Sequence, residues 1–433
     1  MSDTIVAVAT PIGNGGVGVI RISGDKAIEI ASKVFLPWKN KAPQPRYATF
    51  GKIDFDGISD DVLALFFPAP HSFTGEDVVE LQIHGGYYLG QTIVAKLIDL
   101  GARMANRGEF SKRAVMNGKM DLSQAEGIID LISANSQTSL KAGANLMHGV
   151  LKSRIETLQN KLTDCMCEID VALDYPEHDI DYITTQKVAK ICDQLSKEID
   201  RVLLTSHTGI QIKNGVKVAL AGNPNVGKSS LLNALVGYER AIVTDIAGTT
   251  RDTLDASFEH NGVKFNVVDT AGLRKTKDKI EAVGIERAEN EIRQADIVLV
   301  VVEKDEDLIS VDNPNVVVVQ NKTDLGKKLN VKCDFSVSAK TGENINGLKD
   351  LIFEKTIDKE LLSNELILTN VRHIECLKQA KKNLDLVKKN QNDTLDCVAV
   401  LVSAAWNKLG EITGSTANET ILNEIFSRFC LGK

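Results

Sequence analysis

The stretch GNPNVGKSS, Gly222 to Ser230, constrains this chain more than any other. It has the form G-x-x-x-x-G-K-S, with strand-like VKVALA before it and helical SLLNALVG after it. A phosphate-binding loop needs that context, because its glycines let backbone N–H groups close around phosphate oxygens. On this reading Asn225, Val226, Gly227, Lys228, Ser229 and Ser230 form the cradle. Lys228 reaches the β and γ oxygens, and Ser229 ligates magnesium.

The motifs downstream select the base. NKTD, Asn321 to Asp324, follows strand-like NVVVVQ. An aspartate there accepts both donors on a guanine edge, which adenine does not offer in that arrangement. SAK (Ser338, Ala339 and Lys340) follows CDFSV and closes the base pocket. Either motif alone is weak; in this order after a phosphate loop they specify guanine. DTAG supplies Asp269, which holds magnesium through water, then Thr270, Ala271 and Gly272, whose N–H senses the γ-phosphate. Between loop and DTAG lies TDIAGTTRD, where a first switch segment belongs: Thr244, Asp245, Ile246, Ala247, Gly248, Thr249 and Thr250, the last a second magnesium hydroxyl. Leu273 then poses a problem. Proteins of this type often carry a water-holding glutamine after DxxG, and leucine cannot make that hydrogen bond.

At 433 residues the chain exceeds one ordinary domain. Residues 1–117 read as a mixed α+β domain: TIVAVAT, VGVIRIS, YATFGKIDF and DVLALFF are strand-like, Asp25 caps a short helix through KAIEIASKVF, and GYYLGQTIVAKLIDL is a second helix. Residues 118–212 read as helical. Met147, Leu151, Ile155, Leu158, Leu162, Cys165, Ile169 and Leu173 form one buried stripe ended by Pro176. Val188, Ile191, Leu195, Ile199 and Val202 form another, with Gly209 just beyond its helix. From 213 to 358, VKVALAG, VKFNVVDTAG, IVLVVVE and NVVVVQ alternate with helices as in a doubly wound parallel sheet. Residues 359–433 return to helix. The expected architecture is therefore an α/β nucleotide domain inserted into a helical bundle, behind an α+β domain.

Composition excludes several classes. Seven scattered cysteines without a C-x-x-C pair argue against a secreted disulfide framework and for a reduced, cytoplasmic setting. Cys165 and Cys167 face different sides of a helix and suit zinc poorly. MSDTIVAVATPIG has no basic n-region, and no apolar run approaches the roughly 20 residues that span a bilayer. A net charge of −7 opposes general nucleic-acid coating but allows a local basic surface. GNGGVG, Gly13 to Gly18, satisfies G-x-G-x-x-G, yet strand-like VGVIRIS follows instead of a helix, so it reads as a tight turn between strands. EHDID, Glu177 to Asp181, reads as a solvated connector, and the lysines of KQAKKNLDLVKK as an exposed helix face.

With these motifs in hand, the chain resembles the MnmE (TrmE) tRNA-modification family along its whole length. GNPNVGKSS, TDIAGTTRD, DTAGLR, NKTD and SAK are shared with related GTPases; ATPIGNGGVGVIRISG, HSFTGEDVVELQIHGG and the terminal FCLGK are particular to that family. The resemblance implies a Ras-like G domain and potassium-assisted hydrolysis, with Asn225, Thr244, Ile246 and Thr249 around K⁺ and Glu281 orienting water. That would answer Leu273; a first-turn glutamate favoured by the helix dipole is the plainer account of Glu281. Arg251 and Arg274 read as salt-bridging loop residues. The resemblance also implies a homodimer whose N-terminal domain binds 5-formyl- or methylene-tetrahydrofolate through Arg21, Glu80, Lys119 and Lys433. It further implies an FAD-dependent partner in a heterotetramer, and transfer of an aminomethyl or carboxymethylaminomethyl group to C5 of a wobble uridine in tRNA. Cys430 is either a functional thiol or a small buried residue.

One departure stands out: only about 11 residues, roughly KDEDLISVDNP, join IVLVVVE to NVVVVQ, near the lower limit for a parallel crossover. The helix expected there must be nearly absent. Two alternatives remain: a ribosome-assembly GTPase, which would need an RNA-binding module with a GXXG loop, and a nucleotide-gated scaffold with little turnover, supported by Leu273.

Overall fold

The computed structural model describes residues 3–11, 13–40, 42–174, 180–237, 256–269, 281–389 and 394–432. The chain divides into two compact units: residues 1–129, 147–163 and 406–433 in one, 130–146 and 164–405 in the other.

The first unit is built on strands β1 (Ile5–Val8), β2 (Gly18–Ser23), β3 (Phe35–Pro37), β4 (Thr49–Phe55), β5 (Ile58–Phe67), β6 (Val78–Ile83) and β7 (Arg103–Met104), with helices α1 (Ala27–Ser32), α2 (Tyr87–Asp99) and α3 (Glu109–Met116). The sheet order is β3-β4-β5-β6-β2-β1-β7, antiparallel except where β7 joins β1. Strict alternation along β5 sends Val62, Ala64 and Phe66 inward and leaves Leu63 exposed. Val6, Ile20, Ile22, Val79 and Leu81 pack with Ile30 of α1 and Ile93 and Leu97 of α2. Each such side chain contributes roughly 1.5–3 kcal/mol on burial. Ile5 and Ala7 of β1 point the other way, onto Ala105 and Phe110.

Two local expectations change here. Lys26, not Asp25, occupies the N-cap of α1, with no side-chain cap bond. The helix ends at Ser32 because Phe35 pairs with Ile53 as the edge strand β3. GNGGV lies in a nine-residue loop between β1 and β2 rather than a tight turn, and Gly18 opens β2. The loop is tied down by Ala9 N–H to Val19 O (2.7 Å) and Gly15 N–H to Gly85 O (2.8 Å).

Helices α4 (Leu122–Ile132), α5 (Gln137–Met147), α6 (Val150–Asp174), α7 (Ile180–Leu203) and α8 (Ser206–Asn214) follow. Leu151, Ile155, Leu158, Leu162, Cys165 and Ile169 of α6 are buried as the stripe predicts, but Leu173 is 38% exposed and Ala172 takes its place inward. Pro176 lies outside the described residues. Gly209 does not stop α7; it sits inside α8, where an added Cβ would meet Leu368 O at 2.0 Å. Close backbone approach, not termination, explains that glycine.

The second sheet comprises β8 (Val216–Ala221), β9 (Ala256–His260), β10 (Val263–Asp269), β11 (Ile297–Val302), β12 (Val316–Gln320) and β13 (Phe335–Ser336), with α9 (Lys228–Val236), α10 (Glu281–Gln294) and α11 (Ile345–Thr356). Its order is β13-β12-β11-β8-β10-β9, parallel except for the antiparallel β9–β10 edge hairpin. Every residue of β11 is buried, as a strand covered on both faces requires. One face packs Val218, Leu220, Leu299 and Val301 with Leu348 and Ile352 of α11. The short crossover from β11 to β12 carries one 3-10 turn, Asp305–Asp307.

The tail forms α12 (Val371–Lys389), α13 (Leu395–Thr413) and α14 (Glu419–Ser427). Lysines of α12 answer acids of α7: Lys388 bonds Asp193 at 2.6 Å, and Lys381 lies 3.4 Å from Asp200. Leu122 and Ala125 of α4 pack with Ile425, Phe426 and Phe429. Among the described residues, no helix is long and apolar enough to cross a membrane.

Candidate functional site

The phosphate loop joins β8 to α9. Its geometry demands glycine at 227, where φ is +95° and a Cβ would stand 2.4 Å from Asn321 Nδ2. Asn225 holds a left-handed φ of +68° without being glycine. Val226 is buried in the sheet core and anchors the loop, while Ser230 is exposed on the first turn of α9. Lys228 is only 5% exposed and its ammonium donates to the carbonyls of Gly222 and Asn223, 2.8 Å each. Ser229 Oγ donates to Asp269 Oδ2 at 2.9 Å, so the two expected magnesium-side residues are neighbours.

The base-reading segments meet this loop through one side chain. Asn321 is buried; its Nδ2 donates to Val226 O at 3.0 Å, and its Oδ1 accepts from Ala339 N–H at 3.1 Å. It therefore ties the phosphate loop, NKTD and SAK together. Ser338 Oγ donates to Asp324 Oδ1 at 2.7 Å, orienting an otherwise exposed carboxylate. Lys340 is exposed beside them. Lys322 Nζ donates to Asn225 O at 2.8 Å and pairs with Glu303, whose other oxygen takes Lys327 at 2.7 Å. Hydrogen bonds from Lys322 and then Lys327 hold the Glu303 carboxyl down to about 2. Glu303 escaped sequence reasoning, since one acid after a buried strand carries no motif.

Residues 244–250, Thr270, Ala271, Gly272 and Leu273 lie outside the described residues. Glu281 begins α10; its side chain also lies outside what is described.

A second polar cluster sits on the N-terminal sheet. Arg21 of β2 and Glu80 of β6 are register partners, with Arg21 Nε donating to Glu80 Oε1 at 2.8 Å. The guanidinium lies over Phe73 (5.2 Å) and Phe110 (5.7 Å), aromatic neighbours that no motif singles out. Two residues along β2, Ser23 Oγ donates to Glu76 Oε2 at 2.7 Å and lies 2.7 Å from Thr74 Oγ1. Arg113 then bonds Glu76, Glu109 and Asp3. Burial raises the Glu109 carboxyl, but Arg103, the Asn106 N–H and Arg113 outweigh it and bring it to about 2. Lys119 Nζ donates to Pro70 O at 2.9 Å. Arg21 and Lys119 thus both touch the loop between β5 and β6, Arg21 through Phe73 and Lys119 through Pro70. A cavity of about 600 Å³ adjoins this loop, lined among others by Glu76, Arg113, Asn117 and Phe426.

The chain's C-terminal motif belongs to the same unit. Gly108 N–H donates to Cys430 O at 3.4 Å, and at Gly432 the chain runs against Val8 and Ala9. Cys430 is exposed and free, so it is not the small buried residue that one reading allowed. Lys433 lies outside the described residues. Cys165 is buried and Cys167 exposed, on different faces of α6.

Comparison with known proteins supplies the context. A family model described as MnmE helical domain matches residues 122–430, and one described as GTP-binding protein TrmE N-terminus matches residues 4–119. The tRNA modification GTPase MnmE of Lactobacillus johnsonii is 38% identical over 453 residues, covering 100% of this chain and 98% of that protein. The tRNA modification GTPase MnmE of Caldicellulosiruptor saccharolyticus is 39% identical over 452 residues, covering 100% and 99%. Among solved structures, the FeoB G-domain from Methanococcus jannaschii is 27% identical and covers 33% of this chain and 98% of that one, with a TM-score of 0.25, too low to carry an argument.

Proposed function

The chain belongs to the MnmE family of tRNA modification GTPases, and from that membership we propose how its residues divide the work. GTP binds between the phosphate loop and NKTD. Lys228 neutralises β- and γ-phosphate oxygens, Asp324 accepts the guanine donors, and Ser338, Ala339 and Lys340 close the base side. The observation that carries this reading is Asn321, which bonds both the phosphate loop and SAK, so base and phosphate recognition share one rigid joint.

Oxygen donors suit hard cations, and Ser229 Oγ beside Asp269 Oδ2 meets that requirement. Ser229 and Thr250 hold magnesium, while Asn225, Thr244, Ile246 and Thr249 hold potassium. Bound cations supply positive charge against the developing phosphate charge, which is the work an arginine finger does elsewhere. Glu281 orients the attacking water in place of the glutamine that Leu273 replaces.

The N-terminal cluster fits a reduced folate, which supplies a one-carbon unit. Arg21 has guanidinium donors beyond those that face Glu80, and half-buried Phe73 offers flat apolar surface. Lys119 and Lys433 add positive charge for the folate carboxylates. The protein acts as a homodimer with an FAD-dependent partner, installing an aminomethyl or carboxymethylaminomethyl group at C5 of the wobble uridine of tRNA.

Steady-state GTP hydrolysis in potassium and in sodium at equal ionic strength, for wild type and Glu281→Ala, tests the reading. Potassium-selective turnover that collapses in the variant supports it. Slow turnover indifferent to the cation would move the weight to a nucleotide-gated scaffold.

A further inference from the structure

The crossover between β11 and β12 has lost its helix, yet three acids in it reach two other loops, the phosphate loop and the loop between β12 and β13. Asp307 is 4% exposed; its Oδ2 accepts from the N–H groups of Glu303 and Lys304 at 3.1 Å each, and its Oδ1 accepts from Asn223 Nδ2 of the phosphate loop at 3.2 Å. Asp305 accepts from Asn330 N–H at 2.8 Å and Val331 N–H at 2.9 Å. Glu303 takes the ammonium of Lys322, which also donates to the carbonyl of Asn225.

That last connection joins two strained points. Asn225 at φ +68° and Lys322 at φ +63° are both non-glycine residues in left-handed backbone, a conformation that costs roughly 1–2 kcal/mol and persists where the surroundings enforce it. The Lys322 ammonium spans the phosphate loop and the guanine-reading loop, and Glu303 fixes the ammonium. We propose that Glu303 is a positioning residue of the GTP site: it clamps Lys322 against Asn225 O, so that the shortened crossover braces the base-reading loop on the phosphate loop. Asp307, through Asn223, makes the second strut of the same brace. This rests on the assignment of the nucleotide site to the phosphate loop and NKTD.

The competing account is an ordinary surface ion pair, worth little to anything. The Glu303–Lys327 contact is of that kind, with Lys327 51% exposed. The two contacts of Glu303 therefore separate the accounts.

The test is titration of the full-length protein with a fluorescent GDP analogue in magnesium buffer. The variants are Glu303→Gln, Lys327→Met, Lys322→Met and the double Glu303→Gln/Lys322→Met, with melting temperatures measured alongside. Losing one partly exposed charge-assisted bond predicts a roughly fivefold to tenfold weaker GDP affinity for Glu303→Gln. Lys327→Met should change affinity by less than about twofold. In the Lys322→Met background, Glu303→Gln should add less than about twofold, because its target is gone. An unchanged affinity in Glu303→Gln, or an equal loss in both backgrounds, overturns the proposal. Wild-type protein that binds no GDP at all overturns the nucleotide-site assignment itself and this brace with it.

Discussion

The two sheets put polar groups in opposite places. In the six-stranded sheet the parallel strand β11 is buried along its whole length, so nothing chemical fits within it, and the polar groups gather in loops beyond the strand ends. In the seven-stranded sheet the antiparallel strands β2 and β6 alternate, and every second residue turns away from the helix-covered face. Arg21 and Glu80 use that freedom and meet across the ladder, although 59 residues separate them. Each motif of a loop site is contiguous in sequence, although the site joins several of them; strand sites are assembled residue by residue through register. The first should fail when one loop residue is removed, the second when a pairing is broken.

The largest effect belongs to the loop. Lys228→Ala removes an ammonium held inside the phosphate cradle, and GTP turnover should fall at least about a thousandfold in a steady-state assay. Gly227→Ala comes next: its Cβ would collide with Asn321 Nδ2, separating the phosphate loop from the base loop. Nucleotide affinity by fluorescence titration should drop about a hundredfold, with a strain cost of order 1–3 kcal/mol. If either variant binds and hydrolyses normally, the loop side of the comparison breaks.

The strand site predicts smaller losses, read as stability. Glu80→Gln leaves the Arg21 guanidinium, with a side chain 19% exposed, beside an uncharged partner, and urea unfolding should show about 1–2 kcal/mol lost. A gentler lever is pH. The folded Glu109 carboxyl sits at about 2, below its ordinary value of 4.5, so its contribution is complete above 4.5 and disappears as pH falls toward 2. Melting temperature should decline between about pH 5 and pH 3, and Glu109→Gln should flatten that decline while lowering the neutral-pH value. An identical acid limb in the variant would show that the Arg103–Glu109–Arg113 cluster does not set acid stability.

The same contrast explains what the sequence made legible. The phosphate loop, NKTD and SAK were readable because each is a short run that carries its binding groups, backbone or side chain, side by side. Strands β2, β5, β8 and β10 were readable from their period. The run KAIEIASKVF misled because the end of α1 is decided by the β3–β4 pairing, which no local window contains. Gly209 misled because its reason is a carbonyl at Leu368, far along the chain. Glu303 and Asp307 went unnoticed since neither has a recognisable neighbourhood; only the fold sets them beside Lys322 and Asn223. The Phe73 and Phe110 flanks of Arg21 are of the same kind.

The central claim is that a guanine-reading loop, braced on the phosphate loop by Asn321, presents Asp324 to the base. Calorimetric titration with guanosine and xanthosine diphosphates, on wild type and Asp324→Asn, tests it most directly. Wild type should prefer the guanosine form by orders of magnitude, and Asp324→Asn should reverse the order, because an amide donates where the carboxylate accepted and xanthine offers a carbonyl in place of the exocyclic amine. Equal binding of both nucleotides by wild type, or an unaltered preference in the variant, would contradict the account.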